Sequence, residues 1–305
     1  MTTQRIINFM GKRKLAAAFS ILLILGSIVS LASKGLVLGL DFTGGTQIEV
    51  GYPEPANLET IRSQLSEAEF DNPIVVHFGS ERDVLIRLQG KPEAGLSDAV
   101  LASLGNGESG IELRRVDYVG PQVGDELRED GGLGMLAALA IVMLYVAIRF
   151  QYKFSLGAVA ALVHDVIITL GFFSLTGLEF DLTVLAAVLA VVGYSLNDTI
   201  VVSDRIRENF RLLRKSSALS VINESLTQTL GRTLITSLTT LLVLMALYSF
   251  GGELIHNFAV ALLVGVVIGT YSSIYVAANI LLALDMTRED LLPPEKEGAE
   301  FDGLP

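Results

Sequence analysis

Cysteine is absent from this chain of 305 residues, and histidine occurs only three times. The absence of cysteine excludes structural disulfides, thiolate catalysis, and every zinc or iron-sulfur centre that depends on cysteine ligands. Three histidines are too few for a histidine-rich metal site. The composition therefore predicts neither a cofactor nor a metal centre.

Charge is also scarce, since only 18% of the residues are charged while 51% are hydrophobic. Soluble domains carry roughly 25% charged residues, so a water-soluble globular protein is not expected. The formal net charge is −11 at pH 7. This acidic surplus argues against a nucleic-acid binder, because phosphate contacts need clustered Lys and Arg.

Long apolar runs predict an α-helical polytopic membrane protein. The first run covers 15–33 and follows Lys12, Arg13 and Lys14. Its length suits a bilayer core of roughly 30 Å and exceeds the apolar region of a cleaved signal peptide, about 7–15 residues. Five further runs predict spans over 133–148, 154–175, 182–203, 233–250 and 258–284. Six transmembrane helices are expected.

The basic residues predict how these helices are oriented. The short connections at 176–181 and 251–257 contain no Lys or Arg, whereas the other short connections contain several. Basic residues concentrate on the cytoplasmic side of membrane proteins. We therefore expect the N-terminal region 1–33 to start in the cytoplasm, 34–132 to lie outside it, and an acidic tail at 285–305 to return to it.

Residues 34–132 are long enough for one small domain with its own core. Runs rich in β-branched residues predict strands at 46–52, 74–78, 84–88 and 111–118, and 3.6-residue spacing predicts helices at 58–68 and 97–104. The order β-α-β-β-α-β is typical of a ferredoxin-like α+β domain. We expect such a domain between the first and second spans.

Glycine and proline mark both ends of this domain. Gly39, Asp41, Gly44 and Gly45 lie in the segment that follows the first span, and Pro121 lies in the segment before the second. Glycine permits positive φ, and proline fixes its own φ. Two interpretations stay open: tight turns that pack the domain near the bilayer, or hinges on which it moves.

Two charges in the apolar runs require an explanation, because an ionisable side chain near a helix centre costs roughly 2.5–3.5 kcal/mol. Counting from their span ends, Asp198 lies about 24 Å deep and Arg232 about 28 Å deep, at similar levels of the bilayer. They are predicted to be partners. The pair is either a static bridge between helices or a proton-operated switch, with Asn197 beside it as a hydrogen-bonding group between helices.

Asp165 lies nearer mid-bilayer than Asp198, and His164 is its neighbour. Adjacent helical residues point about 100° apart, so the two are not expected to face one partner closely. Packing inside the bundle and a supporting role in proton passage are equally compatible with this position. In the last run, Gly265 and Gly269 form a GxxxG pattern that predicts close helix packing.

Three segments together resemble the SecF family of the bacterial SecDF protein-export complex. They are GLDFTGGTQIEV at 39–50, VGPQVGDEL at 119–127 and GYSLNDTIVVSDRIRENFR at 193–211. The resemblance implies a subunit of the inner membrane, similar in architecture to half of an RND-type exporter, that uses the proton motive force. It implies a SecD-like partner, the SecYEG translocon, a translocating preprotein and membrane lipids as contacts. It also assigns Asp198 and Arg232 to the proton pathway.

Enzyme motifs are not found: the sequence contains no P-loop, no G-x-S-x-G elbow and no HExxH helix. Work must then come from an ion gradient or a partner. Two alternatives remain beside an export subunit, namely half of a small-molecule or lipid exporter, and a purely structural subunit of a translocon.

Overall fold

The computed structural model describes residues 6–70, 73–90, 95–105, 110–213, 215–287 and 290, without the side chain of Glu253. Arg5 and most of the predicted tail lie outside these residues. The described helices are α1 (Arg13–Lys34), α2 (Leu40–Thr43), α3 (Leu58–Glu67), α4 (Leu96–Gly105), α5 (Pro121–Arg149), α6 (Tyr152–Thr176), α7 (Leu182–Leu212), α8 (Ala218–Phe250) and α9 (Glu253–Ala283). The strands are β1 (Val37–Leu38), β2 (Gly45–Gly51), β3 (Ile74–Phe78), β4 (Ser80–Gln89), β5 (Glu112–Val119) and β6 (Glu179–Phe180).

Six of the described helices, α1 and α5 to α9, are long and apolar enough to cross a membrane. α6 and α7 are the most buried of the six, and α9 packs against both. α1, α5 and α8 lie at the periphery and expose large apolar side chains such as Leu22, Leu144 and Leu238. Apolar side chains on the outside of a bundle are what a lipid environment requires. The predicted six-helix membrane fold is confirmed.

The segment between α1 and α5 contains a four-stranded antiparallel sheet in the order β3-β4-β2-β5. Alternate residues point to one face, so that Ile48 and Val50 of β2 lie opposite Ile86 and Val84 of β4, and all four are fully buried. α3 and α4 cover this face with Leu65 and other buried side chains. The elements follow one another in the predicted order β-α-β-β-α-β.

The helices extend beyond the predicted spans. α5 begins at Pro121 rather than at 133, so 121–132 belongs to the helix of the second span as well as to the segment predicted as the domain. Proline is well suited to this first position because its missing N–H would have no partner within the helix. α7 and α8 likewise continue into charged sequence, to Leu212 and from Ala218. Hydropathy identifies only the apolar part of a continuous helix.

The domain is attached to one end of the bundle, which we call the domain side; the terminus side is the opposite end, where α1 begins and α9 ends. β1 pairs in parallel with β6, the two-residue strand in the connection from α6 to α7. Phe42 of α2 stacks on Phe180 at 6.1 Å between ring centroids and is buried in the core of the bundle. The segment between β1 and β2 therefore belongs structurally to the bundle.

Gly44→Ala should weaken this attachment. Gly44 has a φ of +71°, and an added Cβ would lie 2.8 Å from Pro121 Cα. With a ψ of 162° this residue lies in a region that is essentially restricted to glycine and costs another residue about 1–3 kcal/mol before any clash. We expect a lower unfolding temperature of the purified protein in detergent and faster proteolysis of the domain.

Gly134→Ala is the matched control, because nothing lies within 4 Å of its added Cβ and the residue is helical. Alanine should leave the melting temperature unchanged or raise it. Equal melting temperatures for the Gly44 variant and the unmodified protein would show that the turn is not required.

Candidate functional site

Asp198 lies on the inward face of α7 and is only 3% exposed. Its Oδ2 atom has no hydrogen-bond partner among the described residues. A carboxylate in this position lacks the donors that normally satisfy a buried negative charge. Asp198 is therefore a buried acid with one unsatisfied oxygen.

Arg232 lies on α8, the neighbouring helix, with an exposed side chain. No nitrogen of Arg232 lies within 4.0 Å of the Asp198 carboxylate, and Asp198 forms no ion pair with any cation in the described part of the chain. The two residues therefore do not form a closed ion pair in this conformation, and their partnership stays a prediction.

Asn197 points in a different direction from Asp198. Its side chain is exposed on α7 and forms no hydrogen bond with another described residue. Asn197 therefore does not connect two of the helices that the structure describes. Its hydrogen-bonding role between helices stays a prediction.

Asp165 holds a second buried polar centre, at which three helices meet. It is 1% exposed, and its Oδ2 atom accepts hydrogen bonds from Ser195 Oγ of α7 at 2.5 Å and from Ser272 Oγ of α9 at 2.7 Å. The carboxylate thus connects α6 to both of the helices packed against it. A buried acid with this many donors stabilises the packing of the bundle.

His164 completes this centre. Its Nδ1 atom lies 2.8 Å from Asp165 Oδ1, and the ring is 2% exposed. The two side chains contact each other, and the expectation that they do not both face one partner closely stays a prediction. Although the Cα–Cβ directions differ by about 100°, the imidazole ring reaches back to the carboxylate. Its Nε2 atom has no partner among the residues described.

Hydroxyl groups extend the polar contacts between the helices. Tyr194 of α7 donates to Ser237 of α8 at 3.1 Å, and Ser237 Oγ lies 2.7 Å from Thr270 Oγ1 of α9. These residues, together with Ser195, were not singled out from the sequence, and Ser272 was noted only as an extension of the small-residue stripe of Gly265 and Gly269. The only sequence pattern that indicates them is a hydroxyl residue one helical turn from another polar residue within an apolar run. This pattern is common in membrane helices.

The GxxxG pattern of α9 packs against α7, as predicted. A Cβ at Gly269 would lie 3.1 Å from Ser195 Cβ, and one at Gly265 would overlap the side chain of Val191. Small residues let two helix backbones approach closely. This approach brings Ser272 within reach of Asp165.

The glycine-rich segment around Gly39, Gly44 and Gly45 forms tight turns. Gly39 N–H donates to Phe180 O at 2.9 Å, and Asp41 Oδ2 accepts from Leu182 N at the start of α7 at 3.1 Å. Gly45 has a φ of +149°, and a Cβ there would lie 2.6 Å from Leu40 Cδ2. The segment is therefore closely packed against the domain side of α7. Movement about these residues stays a prediction.

An ion pair adds a second connection between the domain and the bundle. Arg87 of β4 lies 2.6 Å from Glu179 of β6, and both side chains are largely buried. Burial raises the pKa of Glu179, while the neighbouring Arg87 guanidinium opposes this shift. Sequence analysis missed this pair because its members are 92 positions apart.

Metal-ligand clusters of three or more His, Asp or Glu side chains do not occur within the described residues. The buried carboxylate of Asp165 instead has a protonatable neighbour, His164, and the hydroxyls of Ser195 and Ser272.

Comparisons with known proteins place the chain in a class of export membrane proteins. Residues 99–287 match the family "Protein export membrane protein SecD/SecF, C-terminal", and residues 29–52 match the "SecD/SecF GG Motif". Crystal structures of SecDF give TM-scores of 0.82, for the Thermus thermophilus translocon-associated protein, and 0.72, for a super-membrane-facing form. Each of these SecDF chains is 38% identical to this chain. The match includes 93% of this chain and 39% of the SecDF chain.

Full-length relatives narrow the class to one family. The protein translocase subunit SecF of Vibrio alginolyticus is 53% identical over 100% of this chain and 99% of the relative. SecF of Pseudomonas aeruginosa is 53% identical over 97% of both chains. The chain belongs to the SecF family of protein translocase subunits. It is a multi-pass inner-membrane protein of Sec-dependent export, and the predicted export role is confirmed.

Ser195→Ala should destabilise the bundle by removing one donor from the buried Asp165 carboxylate. A lost hydrogen bond to a buried charged group costs about 1–3 kcal/mol. The readout is the unfolding temperature in detergent, with Ser273→Ala as the control. Ser273 is equally buried, but its hydroxyl bonds only to Thr270 O in its own helix. Identical melting temperatures for the two variants would contradict the expected role of Ser195.

Arg87→Ala should loosen the domain from the bundle. The substitution leaves Glu179 buried without its partner, which costs about 3 kcal/mol for a buried ion pair. Removing the guanidinium should also shift the titration of Glu179 to higher pH. Arg115→Ala is the control, since Arg115 pairs with Asp117 at an exposed position on β5. Limited proteolysis of the domain measures the effect, and equal cleavage rates for both variants would argue against this anchor.

Proposed function

We propose that the chain works with a SecD-like subunit as a proton-driven device that promotes the export of preproteins delivered through the SecYEG translocon. In this proposal both termini lie in the cytoplasm and residues 34–132 form the periplasmic domain. The observation that carries the proposal is Asp198: a buried carboxylate, with an oxygen lacking any partner, next to a cation that is not bonded to it.

This geometry favours a switch over a static bridge. A static bridge would require direct contact between Asp198 and Arg232, and the two form no ion pair within the described residues. When Asp198 is ionised, attraction draws Arg232 inward; when it is protonated, the attraction is lost. α7 and α8 then have two favourable arrangements, each selected by a protonation state.

The domain can respond to such a change because it is attached to α7. Asp41 accepts a hydrogen bond from the first turn of α7, and β1 pairs with β6 immediately before that helix. A displacement of α7 would therefore reach β2 through the segment that joins β1 to it. Movement of the domain on an emerging polypeptide would favour forward export.

The available energy suits this role. Moving one charge through a membrane potential yields about 2.3 kcal/mol per 100 mV. A pH difference adds about 1.4 kcal/mol per unit. Changing a two-state ratio from 1:99 to 99:1 takes about 5.5 kcal/mol. A single proton can therefore bias the conformational step without completing it alone.

Asp198→Asn tests the proposal. Asparagine keeps the size of the side chain but cannot be deprotonated, so gradient-stimulated translocation in inverted membrane vesicles should fall at least about tenfold, as expected for loss of a proton-transfer group. Assembly with the SecD subunit should be retained. Asp204→Asn is the matched control, because Asp204 lies further along α7 with a half-exposed side chain. Unchanged stimulation in the Asp198 variant would refute the mechanism.

A purely structural subunit predicts a different result. If Asp198 and Arg232 only hold helices together, replacing both by leucine should preserve export, since apolar packing can substitute for a buried ion pair. If they operate as a switch, the double variant should assemble but lose the stimulation by the gradient. Co-purification with SecD and the vesicle assay, measured together, separate the two roles.

A further inference from the structure

A cavity of about 450 Å³ lies between α1, α6 and α9. Arg13 and Lys14 lie at its terminus-side end, Ser20 and Asn279 contribute polar atoms to its walls, and His164 of α6 also lines it. Arg13 and Ile24, the first and last lining residues of α1, are separated by about 16 Å along the helix axis. The cavity therefore reaches from the terminus side to the depth of His164.

The packing of α1 explains where this cavity lies. Near the domain side, Ser30 Oγ lies 2.9 Å from Ser174 Oγ of α6, and Ser27 is so close to Gly171 that a Cβ there would overlap it. Near the terminus side, Ala17 and Ala160 line the space between the helices instead. The two helices are thus in close contact at one end and separated at the other.

His164 connects this cavity to the interior of the bundle. Its Nδ1 atom contacts Asp165 Oδ1, while its Nε2 atom is buried and has no partner among the described residues that surround it. Imidazole can accept a proton on one nitrogen and release one from the other. Binding or release of a proton at Nε2 breaks none of the three hydrogen bonds that the Asp165 carboxylate forms with His164, Ser195 and Ser272.

Asp165 in turn leads to the proposed proton site. Ser195 donates to Asp165 and lies three residues before Asp198 on α7. Residues at this spacing have Cβ atoms about 5–6 Å apart on the same side of a helix. A single bridging water or a rotation of the Ser195 side chain can span this distance.

We propose that His164 and Asp165 form a proton relay between Asp198 and the cavity that opens on the terminus side. This inference rests on the proposed function, which requires Asp198 to release its proton toward one side of the membrane. It adds to that function the route by which the proton leaves Asp198, and it assigns this route to His164 and Asp165. The geometry that carries it is a single histidine that contacts a buried acid through Nδ1 and also lines the cavity.

The proton balance of the relay is complete. Protonated Asp165 donates its proton from Oδ1 to Nδ1 of a histidine that carries its own proton on Nε2. The resulting imidazolium releases the Nε2 proton into the cavity, which leaves a neutral ring that carries its proton on Nδ1 beside the ionised Asp165. The ring is reset when it rotates about its Cβ–Cγ bond, releases the Nδ1 proton to water and takes one proton from water on Nε2, so that one proton in total passes from Asp165 to the cavity. The other ionisable groups facing this region are Arg13 and Lys14 of α1 and the phenols of Tyr271 and Tyr275 of α9.

His164→Gln tests the relay in proteoliposomes that contain the complex with the SecD subunit. Glutamine keeps a hydrogen-bonding group but cannot pass a proton in this way, so the gradient-driven proton flux should fall at least tenfold. His256→Gln is the control, because His256 stacks on Tyr248 on the domain side, far from the cavity. Loss of flux with Asp198→Asn but not with His164→Gln would overturn the relay alone. No loss with either variant would overturn the proposed function as well.

Chemical rescue distinguishes a relay from a structural role. His164→Ala enlarges the cavity, and added imidazole should restore the proton flux at least severalfold when supplied from the terminus side. A histidine that only supports packing would give a variant that imidazole does not restore. Absence of rescue, with the complex intact by co-purification, would count against the relay.

Cysteine labelling tests whether water reaches the cavity, and the chain has no native cysteine to interfere. Ala160→Cys lies in the cavity wall, whereas Val163→Cys is the control at similar depth, since Val163 is exposed and does not line the cavity. A membrane-impermeant thiol reagent applied from the terminus side should modify the first cysteine much faster. Equal rates, or no reaction of the Ala160 variant, would contradict a hydrated route.

Discussion

The fold depends on keeping two carboxylates inside helices that are otherwise apolar. Asp165 is satisfied within the chain, by hydroxyls from two neighbouring helices and by His164. Asp198 is not, since one of its oxygens lacks a partner in the described part of the bundle. Because an unpaired charge in hydrocarbon is costly, the donors around Asp165 stabilise the packing of the bundle, whereas Asp198 is the acid that the proposed mechanism protonates.

α7 brings these two roles together. Its inward face carries Ser195, which bonds to Asp165, and Asp198 one turn later. Its first turn is bonded to Asp41 of the glycine-rich segment, and the strand before it pairs with β1. In the proposed mechanism, these backbone and short side-chain contacts transmit a change in the protonation of the bundle to the domain. The close approach of Gly265 and Gly269 lets α9 pack against the same helix.

The position of Arg232 illustrates why depth alone could not establish a contact. Counting residues places it at a level similar to Asp198, and the two do lie on packed helices. The rotation of α8 about its axis nevertheless leaves the guanidinium exposed. Residue spacing along a helix gives depth to within a turn, but the facing of two helices depends on side-chain packing across their whole length.

Local patterns of the amino-acid sequence predicted the six spans, the order of elements in the domain and the acids that had to be explained, because hydrophobic length and periodicity are local properties. Which groups contact one another depends on the tertiary structure. The hydroxyls that satisfy Asp165 come from positions 30 and 107 residues away. The Arg87–Glu179 pair and the cavity beside His164 likewise arise where distant segments pack. Contacts between such segments depend on the geometry of the whole bundle, which no local pattern contains.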